Sequence, residues 1–260
     1  MEDVQVSSWN ELNEQVFEGS WNEQIGRFRS NYAFRGMPDS RYDLKTSLIQ
    51  LGGDYGSHEA DLLRNFRKYA YRNASPSDSI WNWLALAKHH GLPTRVLDWT
   101  YSPYVAMHFA TENLELFHLD GVIYCVDYVR TNQLLPDRLK AILEAEDSNV
   151  FTAEMLSQAA GSLRDFDKLS GDEFVVFFEP PSLDERIINQ YALFSLMSSP
   201  TATLDHWLLD KPQLFRRVII PASLKWEVRD KLDQTNITER VLYPGLDGLS
   251  QWLKRYYKSR

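Results

Sequence analysis

Residues 89–111 read HHGLPTRVLDWTYSPYVAMHFAT, and few local folds accommodate that order. A helix has to stop at Gly91, because Pro93 just beyond cannot continue it and glycine suits the helix C-terminus. A core strand then needs only Val96 and Leu97. Ser102 suits the N-cap of a following helix, Pro103 fits its first turn, and Val105, Ala106, Phe109 and Ala110 form one apolar face. Helix, strand and helix therefore succeed one another through two tight connections. Packed into them are more polar groups than turns require: His89, His90, Arg95, Asp98, Thr100 and Ser102, with Trp99 among them. That surplus suggests a site.

The rest of the chain supplies the frame. Tyr32 to Arg35 reads as a short strand closed by Gly36 and a Pro38-Asp39-Ser40 turn. Helical spacing runs from Ser57 to Asn73 and from Ser79 to His90, and again over 223–236 behind a serine cap. GVIYCVDY, EFVVFFEP, RIINQYALFSLM and LFRRVIIPA read as strands, with a helical insertion at about 131–165. ERVLYPGLDGLSQWLKRYY is expected to form a strand, a Pro-Gly turn and a terminal helix. Helices early, strands late and no regular βαβ alternation predict an α+β fold. The expectation is one domain over 1–260, with N-terminal-half helices packed on a mostly antiparallel or mixed sheet.

Composition narrows the function classes. The net charge of -8 argues against broad, sequence-independent nucleic-acid binding, which needs a cationic surface to release counterions. A nucleic-acid substrate that docks briefly on a local basic groove stays open. The single Cys125 allows no internal disulfide and suits a reducing cytoplasm. The polar, acidic N-terminus does not read as a signal peptide, and no apolar run approaches the ~20 residues of a membrane helix, so no membrane partner is expected. There is no Walker loop, dinucleotide glycine fingerprint, nucleophile elbow or zinc-ligand spacing, and no metal is expected.

Three segments carry candidate chemistry. In Phe34-Arg35-Gly36, a strand-borne guanidinium can point a rigid charged fork into a cleft while Gly36 lets a phosphate approach the backbone. Alternatively Arg35 is structural, paired with Asp98 or another carboxylate. Thr94, Arg95, Asp98, Thr100 and Ser102 precede a helix N-terminus, where free N–H groups favour anions. Alternatively Ser102 only caps, Asp98 pairs with Arg95 or Arg35, and Trp99 fills the core. His89 and His90 end a helix, a favourable place for imidazolium, and His90 lies nearer the loop. On the third segment, strand alternation would set Arg186, Ile188 and Gln190 on one face.

In their order along almost the whole chain, Phe34-Arg35-Gly36, HHGLPTRVLDWTYSPYVAMHFA, RIINQYALF and YPGLDGLSQWL resemble the FRG domain, a bacterial family named for Phe/Tyr-Arg-Gly. The chain departs from the family at His89, where glutamine is usual, and at Tyr191-Ala192, where glycine follows the strand glutamine. FRG, WTYSPYVAMHFA and RIINQ are also similar, in order and approximate spacing, to ADP-ribosyltransferases. That resemblance implies an ADP-ribosyltransferase-like fold in which Arg35 holds the NAD diphosphate and Thr100 or Ser102 orients the nicotinamide ribose. Trp99 or Tyr104 would stack on nicotinamide, and Phe34, Gly36, His90, Thr94, Arg95, Asp98 and Arg186 would complete the NAD site. Gln190 would take the third catalytic position, where a glutamine can position a ribose hydroxyl but brings neither a base nor a negative charge. Glu185 and Glu239 are the nearest carboxylate substitutes. The implied function is ADP-ribosyl transfer to a protein or nucleic acid, or NAD hydrolysis. Such a protein would be a toxin or phage-defence effector with an antitoxin or effector partner. The competing expectations are a non-catalytic module gripping a nucleotide through Arg35, Arg95 and Arg186, and a hydrolase or nuclease using Asp98 with His90.

Overall fold

A computed structural model describes residues 3–23, 25–71 and 79–258. Strand β1 (Val4–Gln5), helix α1 (Trp9–Phe17) and a small ribbon of β2 (Trp21–Asn22) and β3 (Arg27–Phe28) open the chain. Strand β4 (Tyr32–Met37) leads to helices α2 (Ser47–Leu51), α3 (Tyr55–Ala70) and α4 (Ile80–His89). Residues 89–111 end α4 and form β5 (Val96–Thr100) and α5 (Pro103–Ala110), followed by β6 (Gly121–Asp127). Next come α6 (Tyr128–Thr131), α7 (Asp137–Ala145), β7 (Phe151–Thr152), α8 (Ala153–Ala159) and α9 (Leu163–Asp167). The remainder holds β8 (Val175–Glu179), α10 (Glu185–Asn189), β9 (Ala192–Met197), α11 (Leu204–Leu208) and β10 (Phe215–Ile220). Helices α12 (Lys225–Gln234), α13 (Glu239–Leu242) and α14 (Leu246–Tyr256) complete it.

Eight strands form one mixed sheet in the order β1-β10-β6-β4-β5-β9-β8-β7. The edge pairs β1–β10 and β7–β8 are parallel, and the interior pairs are antiparallel. The sheet is nevertheless divided. Tyr32 through Met37 pair in full with Asp127 through Val122, and Val96 through Thr100 with Leu196 through Ala192. Between these two halves, β4 and β5 share the single register pair Phe34 opposite Thr100.

Cross-strand pairing assigns the cores to faces. On one face, Phe34, Ile123, Cys125 and Val218 pack under α1, α5 and α12. On the same face of the other half, Val96, Val176, Phe194 and Leu196 pack under α3, α4, α7 and α8. The split between β4 and β5 thus runs beneath the boundary of two helical layers. The opposite face buries Tyr124, Trp99, Leu193 and Phe177 under α11 and Leu44. Free Cys125 is buried, and no helix among the described residues is long and apolar enough to cross a membrane.

The α+β class and the mixed sheet agree with the sequence reading, but three details differ. Residues 185–189 are helix α10, not a strand, because Asp184 accepts from Ile187 N at 3.1 Å and starts a helical turn. Gln190 caps that helix and the strand begins only at Ala192, so Arg186 and Gln190 share no strand face. Likewise 239–242 is helix α13, and helices α10 to α14 are spread through the C-terminal third instead of clustering early. The insertion near 131–165 is helical as expected, yet Leu139, Phe151, Leu156 and Phe166 join the core beneath α4, and β7 extends the sheet. The expected helical end at Asn73 lies outside the described residues.

Candidate functional site

A cavity of about 670 Å³ opens over the β4–β5 split, a size suited to a small-molecule ligand. Its walls include Arg35, Asp98, Thr100, Arg186 and Gln190, together with Lys88, His89 and Glu112. Four distant pieces of chain therefore converge. Arg35 Nη1 donates to the Asp98 carbonyl oxygen at 2.6 Å, spanning the gap where a strand N–H would have paired. Arg35 Nε is buried with no partner among the described residues. Burial pushes its pKa down and Asp98 opposes that, but a guanidinium stays charged.

The Asp98 carboxylate pairs with Lys88 Nζ at 2.6 Å, and not with Arg95 or a guanidinium of Arg35. Enclosure in the cleft would raise its pKa, but Lys88, Arg35 and Arg186 outweigh that and hold it below the usual carboxylate range. About 55% of this side chain still meets solvent, so the charge faces the cleft water. Arg186 makes no ion pair among the described residues and lies 5.1 Å over the Tyr243 ring. It is the cation of this wall most available to a ligand.

Hydroxyls and amide at the split hold the scaffold. Thr100 Oγ1 donates to the Gln190 carbonyl at 2.7 Å and accepts from Ser102 N at 3.0 Å. Ser102 caps α5 through Val105 N at 3.3 Å, and Gln190 Nε2 donates to the Leu242 carbonyl at 3.0 Å. Gly36 serves packing as well as the cavity wall. A Cβ there would stand 1.8 Å from the Ala106 carbonyl oxygen, so helix α5 occupies the space assigned above to a phosphate.

Several expected residues point elsewhere. Arg95 is buried against Glu59 and Asp167 and borders a separate cavity, with Arg95 Nε 2.9 Å from Glu59 Oε1. Thr94 is buried, and its carbonyl accepts from Leu48 N at 3.1 Å. The Trp99 indole is only 3% exposed, packs edge-on against Phe177 and donates to Ser195 Oγ at 2.8 Å. Tyr104 stacks on Trp9 and bonds Asn13, outside the cavity lining. His90 is exposed and leaves the cavity wall to His89, whose Nε2 lies 2.8 Å from Asp184. With Asp98 paired to Lys88, the expected Asp98–His90 arrangement is not assembled. Glu239 is sealed in an ion pair with Arg229 at 2.8 Å, and Glu185 is exposed on α10, so neither reaches the cavity.

In their place stand groups the sequence reading passed over. Phe109 and Tyr42 border the cavity, Tyr42 46% exposed, and offer aromatic faces. Glu112, just past the end of α5, accepts from the Tyr243 hydroxyl at 3.0 Å. Burial pushes its pKa up, against the Tyr243 hydrogen bond and Arg229. The signal available for it was position alone: it stands three residues after Phe109, just beyond the last turn of α5.

Residues 30–118 match the family model of the FRG domain. That span contains β4, the α4 end, β5, α5 and Glu112, whereas Arg186, Gln190 and Tyr243 come from beyond it. No curated protein and no solved structure matches the chain.

Proposed function

We propose that the cleft binds NAD and that the protein transfers ADP-ribose to a macromolecular acceptor or to water. The observation that carries this reading is the sheet split itself. A groove crosses the sheet where β4 and β5 part, with Arg35, Lys88 and Arg186 along it and aromatic side chains at its borders. A dinucleotide has the matching chemistry: an anionic diphosphate between two planar rings.

In this reaction the bond between ribose C1′ and the nicotinamide nitrogen breaks. Its electron pair goes to the ring nitrogen, so nicotinamide leaves neutral and positive charge develops on the ribose. The acceptor nucleophile then bonds to C1′ and loses its proton. Arg186 and Arg35 are suited to the diphosphate, with Arg35 held in place by the Asp98 carbonyl. Carboxylates in the cleft wall favour the developing positive charge. Thr100, Ser102 and Gln190 act as positioning residues, because their hydrogen bonds join β5, α5 and α10 around the groove.

Purified protein incubated with NAD and candidate acceptors is expected to release nicotinamide, with NAD binding seen by calorimetry. Intact NAD together with no binding heat removes the reading. Binding without turnover would instead identify a non-catalytic nucleotide-binding module, the reading that Arg186 and the other cleft cations support by themselves.

A further inference from the structure

We infer that Glu112 is the proton-handling group of the cleft, that Tyr243 holds it in place for that role, and that a buried His108–Arg229–Glu239 chain sets a second donor behind it. This rests on the ADP-ribosyl reading and gives it the carboxylate that Gln190 does not provide. Glu112 lines the cavity, and Tyr243, which follows α13, donates to its Oε2 at 3.0 Å. One helical turn earlier, His108 is completely buried, and its Nε2 stands 3.7 Å from the same oxygen.

The tautomer of His108 follows from its other nitrogen. Arg229 Nη1 lies 2.8 Å from Nδ1, and a guanidinium has only donors, so Nδ1 accepts. The ring is then neutral with its proton on Nε2, which makes no hydrogen bond of full geometry among the described residues, the Ile237 carbonyl and Glu112 being the acceptors near the ring. That N–H faces Glu112 at a distance too long for a hydrogen bond and short enough to close by a small shift when a ligand enters. Arg229 is itself fixed by Glu239 at 2.8 Å, and Glu239 accepts from Arg255 Nε at 2.6 Å. Helices α12, α13 and α14 thereby set the orientation of one ring behind the cleft.

The charged and titratable groups acting on Glu112 are Tyr243, Arg229, Glu239 and Arg186, with His108 in the last turn of α5 just before it. Enclosure in the cleft wall outweighs the donors and raises the Glu112 pKa above its ordinary value, although 37% of the side chain still meets solvent, a direction that suits a group taking a proton from an attacking nucleophile. In the transfer step, Glu112 accepts the proton that the nucleophile loses as its bond to C1′ forms.

The test is a carboxyl-carbon NMR titration of the full chain, with Glu112 assigned through Glu112→Gln. Glu112 is expected to titrate above the ordinary carboxylate range, and to move higher in Tyr243→Phe, which deletes a donor favouring the charged form. His108→Asn, which keeps an acceptor for Arg229 but removes the Nε2 proton, is expected to act in the same direction but less, since that N–H acts on Glu112 through space at 3.7 Å, and serves if Tyr243→Phe does not fold. In NAD turnover, Glu112→Gln is expected to lower kcat about 10²-fold or more with KM for NAD nearly unchanged. The acid limb of the wild-type pH profile should follow the NMR titration. An ordinary Glu112 titration that neither variant moves overturns the inference, as does full activity in Glu112→Gln. A wild-type protein that leaves NAD intact defeats the ADP-ribosyl reading, while the titration separately upholds or overturns the control of Glu112.

Discussion

Arg35 illustrates how a site residue and a structural residue can be the same side chain. Read from sequence, its guanidinium either faced a ligand or paired with a carboxylate. In the structure Nη1 bonds a backbone carbonyl across the split, and the rest of the fork borders the cavity. A lysine has one ammonium where arginine has a planar set of five donors, so it cannot serve both directions. Arg35→Lys is therefore expected to fold, to lose about 1–2 kcal/mol from the unmet carbonyl, and to lose NAD binding by tenfold or more. Thermal melts and calorimetry check this; a wild-type affinity in a stable Arg35→Lys protein would contradict it. Arg35 and Asp98 were legible because chemistry-rich residues beside a strand stand out. Glu112 was not, since Thr111-Glu112-Asn113 reads as an ordinary polar helix end. Tyr191 adds a different lesson. It has a φ of 48°, a left-handed conformation that glycine adopts more readily, so the turn between α10 and β9 is held by a residue that carries a Cβ.

At the scale of elements, the contact of α5 with β4 is the critical one. Gly36 lacks the Cβ that would strike the Ala106 carbonyl at 1.8 Å and the Ala110 amide at 2.7 Å, both backbone atoms of α5. Neither can swing aside as a side-chain tip would. Gly36→Ala has to lift the whole helix, and with it Glu112 and the Ser102 cap, at an expected cost above about 3 kcal/mol. Gly91→Ala makes a sharp comparison. Gly91 has a φ of 80° but nothing near its missing Cβ, so the expected loss is conformational only, about 1–2 kcal/mol. Denaturant melts of the two variants should rank them in that order, and similar losses would refute the packing role. The pair also separates what sequence can reveal. Gly91 was readable as a helix stop from its neighbours, whereas the demand on Gly36 comes from a helix seventy residues away. Helix α10 departs from expectation for a related reason: Ile187 and Ile188 are β-prone, whereas the Asp184 cap decides for a helix.

For the whole molecule, the sheet split is the feature that no local pattern announces. Each strand flanking it was expected near its observed place, but the single β4–β5 register pair is a relation between residues 34 and 100. The same long-range assembly buries ionisable groups behind the cleft, which makes acid stability a test of the fold. Burial, with Arg229 beside it, lowers the His108 pKa to about 3. In the unfolded chain a histidine titrates near 6.5, so between those values the unfolded state binds the extra proton. Stability from this residue is accordingly complete above about pH 6.5 and falls as pH drops toward 3, by up to about 1.4 kcal/mol per pH unit. Glu239 adds to the loss lower down: despite burial, Arg255 and Arg229 hold it at about 2, so its contribution fades as pH falls from the ordinary glutamate range toward that value. Glu112 runs the other way, because a raised carboxyl pKa favours the protonated folded state, and Glu112→Gln is expected to stabilise the protein at neutral pH but not at pH 4. His108→Asn should begin less stable at pH 8, having lost ring packing, and then show a nearly flat stability between pH 6.5 and 5 where the wild type declines. Urea melts across that range measure both slopes. Equal slopes would mean that His108 is charged in the folded state, in which case its Nδ1 would not accept from Arg229 and the orientation of the ring toward Glu112 would have to be abandoned.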